Sequence, residues 1–220
     1  MAVELAPKLS RRQVSAEGTR RALLDSAKEC FATVGYDATS VATLTAHAGV
    51  SKGGFYRHFP DKKAVFEAVF SERLVVAAAG IEAANTRMRD RPVGAGLPIA
   101  GRAATEFVGL SLSDPIHREL LRQAPQALGP DRYQQIDDQY VLPALVALLT
   151  HMVQRGELIS AMPVVTTAQL LLRVLCSGNT LICQAEDPHD VFGEVLTVLG
   201  VFFNGMTTPG LPVPQPRTSR

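Results

Sequence analysis

No stretch of this 220-residue chain is apolar for long enough to cross a bilayer. The longest runs, such as Ala-Leu-Val-Ala-Leu-Leu at 144–149, fall far short of the ~20 residues a spanning helix needs. The first residues, MAVELAPKLSRRQ, have no apolar core behind a basic start, so they do not read as a secretion signal, and a cytoplasmic location is expected. Cysteine is scarce: Cys30, Cys176 and Cys183 are odd in number and lack the paired spacing of a disulfide framework or zinc knuckle. The five histidines, His47, His58, His117, His151 and His189, show no metal-ligand spacing. No HExxH or CxxC occurs. Gly49-Val-Ser-Lys-Gly-Gly lacks the Lys-Ser/Thr ending of a phosphate loop, and Gly94-Ala-Gly-Leu-Pro-Ile lacks the third glycine of a dinucleotide turn. No internal repeat of 20–50 residues is visible. These gaps argue against an enzyme, and no cofactor or metal is expected.

What is present is a globular composition, 46% hydrophobic and 20% charged, in a chain long enough for one large or two small domains. A net charge of +1 conceals an asymmetry. Residues 1–63 hold ten Lys/Arg against six Asp/Glu, whereas the remainder holds twelve against fifteen. One end therefore suits a polyanion and the rest does not.

Apolar residues recur at helical spacing almost throughout, without β-branched runs flanked by hairpin turns, so the chain reads as all-α. Leu23, Ala27, Cys30, Phe31 and Val34 form one stripe over Thr19–Val34, and Gly35 follows at a C-cap position. Thr39 and Ser40 offer N-cap hydroxyls to a short helix bearing Val41, Leu44 and Ala48, stopped by Gly49. Ser51 can cap a third helix to about Phe59, and Asp61, after Pro60, a fourth over 62–89. Beyond the Pro/Gly-rich RPVGAGL at 91–97, helices are expected near 97–111, 115–125, 130–155, 164–185 and 188–204. Pro143 should kink the third of these. The expected division is a flexible basic arm at 1–16, a domain of short helices at 17–63 whose last two occupy about 40–59, a larger domain at 64–206 and a disordered, proline-rich tail at 207–220.

The segment AGVSKGGFYRHFPDKK, 48–63, carries the most chemistry. Two helices joined by Ala-Gly-Val-Ser make a helix-turn-helix unit. At about 100° per residue, Phe55 and Phe59 share one face, while Gly53 and Arg57 point the opposite way. Lys52 and Tyr56 flank one side and His58 the other. With the phenyl rings buried, the outward face is cationic, hydrogen-bonding and bare at its glycines. Two successive glycines each cost ~0.5–1 kcal/mol in a helix; close approach to DNA explains them, as does a frayed helix start.

Residues 19–63, through Thr19, Ala27, Phe31, Gly35-Tyr36, Thr39-Ser40, Ala48-Gly49-Val50-Ser51-Lys52-Gly53, Tyr56, His58-Phe59 and Lys62, resemble the DNA-binding domain of the tetracycline-repressor (TetR) family. The resemblance implies an all-helical homodimer that places its third helix in a major groove of double-stranded DNA at a near-palindromic operator, with a small-molecule effector bound in the C-terminal domain. Carried over position by position, it makes Lys52 and Gly53 base-edge readers and Thr39 or Ser40, Tyr56, Arg57, His58 and Lys62 phosphate contacts. Gly54 departs from the pattern, since many relatives carry a base-reaching side chain there. Arg57 could serve instead as a bidentate guanine reader. Lys8, Arg11 and Arg12 either add contacts or belong to a plain extension.

LLRQAPQALGPDRYQQIDDQY at 120–140 and GNTLICQAEDP at 178–188 resemble a widespread C-terminal variety of the family, spanning 120–204. Phe107, Arg122, Gln126, Tyr133, Tyr140 and Asn179 are candidate effector contacts; the alternative makes the aromatic groups core and pairs Arg122 with Glu119 or Asp138. The last two helices resemble the family's dimer bundle, with Leu171, Leu172, Leu175, Ile182, Val191, Val195, Leu199 and Phe202 as the apolar stripe. Helix 62–89 is the expected lever between reading head and body. Cys176 and Cys183, seven apart on one helix, are either a thiol switch or inert packing.

Overall fold

A computed structural model describes residues 11–207, with side chains from Ser15 onward. The basic-arm residues 1–10 and the tail 208–220 lie outside the described residues, as do the side chains of Arg11 and Arg12. Among the described residues the regular elements are all helices, joined by one isolated bridge between Leu158 and Thr207. The chain divides into two compact units at Val69/Phe70, inside a helix.

The first unit is built from α1 (Arg11–Thr33), α2 (Val41–Ala48), α3 (Lys52–Tyr56) and the start of α4 (Lys62–Met88). α1 starts eight residues earlier than its stripe suggests, so positions 11–16, expected in a flexible arm, are helical. Leu23, Ala27, Cys30 and Phe31 are buried, but Val34 is exposed, because the helix ends at Thr33 and the chain turns away. The N–H groups of Val34 and Gly35 both donate to Cys30 O, with Gly35 at φ 92°. The buried Ser26 hydroxyl donates to Leu44 O at 3.0 Å and ties α2 to α1. Phe31, Tyr36 and Phe66 meet with ring centroids 5.2–5.7 Å apart. Such contacts exceed the value of their buried area.

The second unit holds the rest of α4 with α5 (Gly96–Ser113), α6 (Pro115–Leu128), α7 (Pro130–Tyr140), α8 (Leu142–Gln154), α9 (Val164–Gln184) and α10 (Pro188–Gly205). α9 is central, packing on α5, α6, α8 and α10. The expected single helix over 130–155 is two, parted at Val141. Pro143 stands in the first turn of α8, where it has no N–H to lose to the helix ladder. The RPVGAGL loop is held by Glu157, whose buried carboxylate accepts Gly96 N–H at 2.6 Å and Arg155 Nε–H at 2.7 Å. Arg155 in turn donates to the carbonyls of Arg91 and Pro92, each at 2.9 Å.

Candidate nucleic-acid interface

The helix-turn-helix is fixed at each joint by its own backbone and side chains. Ser40 Oγ accepts Thr43 N–H at 3.0 Å to open α2, and Gly49, at φ 65°, closes it in the left-handed region that glycine tolerates. Ser51 Oγ then accepts Gly54 N–H at 3.1 Å to open α3. Gly49-Val50-Ser51-Lys52-Gly53 has the Gly-x-Ser-x-Gly spacing of a hydrolase nucleophile elbow, but it joins two helices instead of a strand to a helix, and its serine caps α3.

α3 is shorter than expected, ending at Tyr56, yet Phe59 N–H still bonds Phe55 O at 3.0 Å, so Phe59 lands on the same side as Phe55. Both phenyl rings are buried, their centroids 6.0 Å apart. Lys52, Gly53, Tyr56 and Arg57 are exposed and His58 is half-buried. The two glycines part company. A Cβ on Gly53 would meet nothing within 4 Å, whereas one on the buried Gly54 would lie 2.7 Å from Val50 Cγ1. Gly54 is thus required by the turn packed beneath it, and only Gly53 is bare without an internal cause.

Two of the expected phosphate contacts are engaged within the unit itself. Thr39 is 1% exposed and its hydroxyl donates to Gly35 O at 2.6 Å, which leaves Ser40 as the surface member of the pair. The Lys62 ammonium donates to Tyr36 O at 2.6 Å and to Asp37 O at 3.5 Å, and sits 4.1 Å from the Tyr36 ring centroid. It clamps the α1–α2 loop. Thr43, whose hydroxyl lies 2.9 Å from Ser40 Oγ, and Arg20, with its guanidinium 5.1 Å from the Phe59 ring centroid, join this unit's polar surface and were missed. Neither belongs to a spacing that marks it; the Ser-x-x-Thr signal points to a cap alone.

In the second unit the candidate effector contacts scatter. Phe107 is buried, Gln126 is exposed and Tyr140 is half-buried. Arg122 is turned to solvent and paired with Glu119 at 2.6 Å. Asn179 is buried and accepts the Ser111 hydroxyl at 2.9 Å. Tyr133 lies against Phe70, centroids 5.7 Å apart, and burial drives its phenol pKa upward.

One turn beyond Tyr133 is a group that periodicity did not flag, Asp137, 1% exposed. Desolvation raises its pKa to about 6, against a hydrogen bond from Cys176 Sγ–H at 3.3 Å and the charge of Arg173, which is itself bonded to Asp138 at 2.5 Å. Burial, with the nearby Asp137 charge, also pushes the Cys176 thiol well up, and burial raises that of Cys183. Thiolate is the reactive form, and burial disfavours it at both positions.

The apolar stripe expected at the dimer bundle is mostly interior: Leu171, Leu172, Leu175, Ile182, Val195 and Leu199 are buried within the unit, Val191 is half-buried, and Phe202 alone is exposed. The outward face of α9 and α10 is carried by other residues, Leu170, Leu181, Val198 and Val201 with Phe202. A groove of about 420 Å³ between these helices includes Leu181, Val198 and Phe202.

A capped three-helix unit with a cationic outer face, ahead of a larger all-helical unit, defines a helix-turn-helix protein of the regulator class. Residues 23–69 match the family model for bacterial regulatory proteins, tetR family, and residues 100–206 that for the tetracyclin repressor-like C-terminal domain. The chain belongs to the TetR family. It is 40% identical over 86 residues to the HTH-type transcriptional repressor Rv1474c of Mycobacterium tuberculosis, a match covering 38% of this chain and 45% of that protein. The chain thus spans under half the length of this relative. It is 25% identical over 174 residues to the repressor BepR of Brucella suis, covering 76% and 81% of the two chains. Its fold is that of a TetR-family regulator from Pectobacterium atrosepticum, with a TM-score of 0.74, 24% identity and coverage of 91% and 98%.

Proposed function

We propose that this chain is a transcriptional repressor that binds a near-palindromic operator as a homodimer and releases it when a small molecule occupies the C-terminal unit. The observation that carries the reading is the two-sidedness of α3 and the turn that follows it: Phe55 and Phe59 inward, Lys52, Gly53, Tyr56 and Arg57 outward. In this assignment Lys52 and the bare backbone at Gly53 meet base edges, Arg57 reaches a guanine or a phosphate, and Ser40, Tyr56 and His58 fix register on the backbone. The exposed apolar face of α9 and α10 pairs with its twofold mate, and half-sites then lie ~34–36 Å apart. α4, which contributes residues to both units, is the lever, and cytoplasmic DNA is the target. The curated relatives are named as repressors.

Selection of fragments from the source genome, followed by gel retardation, tests this. A saturable complex with a palindromic fragment, weakening steeply with salt as counterions are released, is the expected result. No sequence-preferring complex at low salt would overturn it.

A further inference from the structure

Three arginines from three different segments converge on one cleft of the second unit: Arg87 from the last turn of α4, Arg91 from the loop after it and Arg102 from α5. The cleft holds about 590 Å³, and Ala95, Pro98 and Ile99 form an apolar lining. One carboxylate serves there, Glu106, 4.0 Å from Arg87 and 3.4 Å from Arg102. Three positive charges against one negative leave the cleft with an unbalanced charge of about two.

The loop is not slack. Arg91 O and Pro92 O both accept from Arg155, Arg91 N–H donates to Met88 O, and the neighbouring Gly96 N–H is held by buried Glu157. Arg91 is therefore anchored through its backbone, and its exposed guanidinium is left for the cleft. A planar guanidinium offers paired donors that match a carboxylate and a flat face that stacks on an aromatic ring. Side chains of this kind around an apolar floor describe a site for a molecule with both an anionic end and a flat apolar body.

We propose that this cleft is a binding site for small aromatic carboxylates, separate from the interior of the same unit. The floor of Pro98 and Ile99 takes the ring, and Arg91 with Arg102 takes the carboxylate, displacing part of the shared claim on Glu106. An inorganic anion could use the arginines but not the floor, and a neutral arene the floor but not the arginines.

Calorimetric titration of the full chain with 2-naphthoate tests the site, beside 2-naphthalenemethanol as its neutral counterpart, inorganic phosphate as an anion without a ring, and Arg89→Gln as a charge control outside the lining. One naphthoate per chain is expected. Affinity should fall roughly tenfold or more in Arg91→Gln and Arg102→Gln, the scale of one lost charge-assisted bond, and hold in Arg89→Gln. All three arginines are exposed, so the variants keep the fold, which their circular dichroism melts will register. The proposal is overturned by no saturable binding at millimolar naphthoate, by equal binding of the alcohol or of phosphate, or by an Arg89→Gln loss that matches the other two. DNA binding plays no part in the readout, so the result stands apart from the repressor reading.

Discussion

Lys62 Nζ lies 2.6 Å from the carbonyl oxygen of Tyr36, twenty-six residues earlier in the chain, and over that residue's own ring. The first turn of α4 thereby holds the loop that leads into the helix-turn-helix. A lysine that grips carbonyls and one that releases counterions from DNA give different signatures. Lys52→Gln should lower the slope of log affinity against log salt by about one and leave stability unchanged. Lys62→Gln should cost about 1–2 kcal/mol in urea unfolding, weaken DNA binding through the loop, and leave the salt slope as it was. A slope change of one in Lys62→Gln would return it to the phosphate contacts.

Gly53 and Gly54 are neighbours with opposite reasons for having no side chain. Alanine at an ordinary helical position gains ~0.5–1 kcal/mol over glycine. Gly53→Ala meets open space, so it should raise the melting temperature slightly while weakening operator binding. Gly54→Ala drives a methyl group to 2.7 Å from Val50 Cγ1 and should destabilise by about 1–3 kcal/mol, as overpacking does. Val50→Ala should recover most of that loss in the double variant. Additive losses across the cycle would show that Val50 is not the obstacle.

The framework of the reading head was legible because its signals are local. Ser40, Gly49, Ser51 and Asp61 are caps whose chemistry is written within four residues, and the structure places each where that chemistry asks. What could not be read is tertiary. Thr39 and Ser40 are equivalent as cap residues until α1 covers one of them, and Lys62 is one more cation until the Tyr36 carbonyl appears beside it. On α9 the apolar periodicity runs nearly all the way round, so counting residues could not separate the face that meets α5, α6 and α8 from the one that carries Leu170 and Leu181. Asp137 stayed hidden because a carboxylate in a polar helix such as α7 reads as surface until neighbours enclose it.

That enclosure makes a pH prediction. Burial raises the Asp137 pKa to about 6, above the ~3.9 of an unfolded chain. Between those values the folded state holds a proton that the unfolded state has released, so stability falls as pH rises from about 4 to about 6 and stays reduced above. The full effect is of order 3 kcal/mol. Asp137→Asn has no charge to bury and can still accept the Cys176 thiol. It should be more stable than the parent by that order at pH 7–8 and should converge with it near pH 4 in urea titrations. A gap that does not narrow on acidification would mean that Asp137 is not the titrating group.

In the proposed homodimer, the face of α9 and α10 is what lets the protein use its reading head twice. Leu181 and Val198 are about half exposed in one subunit, and both line the groove that also holds Phe202. If this face is the twofold interface, Leu181→Glu and Val198→Glu place charges where the mate's apolar side chains would meet them. Neither is part of the subunit's own core, so the helical signal and the melt should change little. Light scattering should then report monomer where the parent gives dimer. Operator binding should weaken by at least about 10²-fold, because two half-sites no longer share one effective concentration. Leu171→Ala, on the buried side of α9, separates this from general damage: it should lower stability by about 2–5 kcal/mol and leave the dimer mass intact below its melting temperature. Dimers that survive both glutamates would move the interface to another face of the second unit.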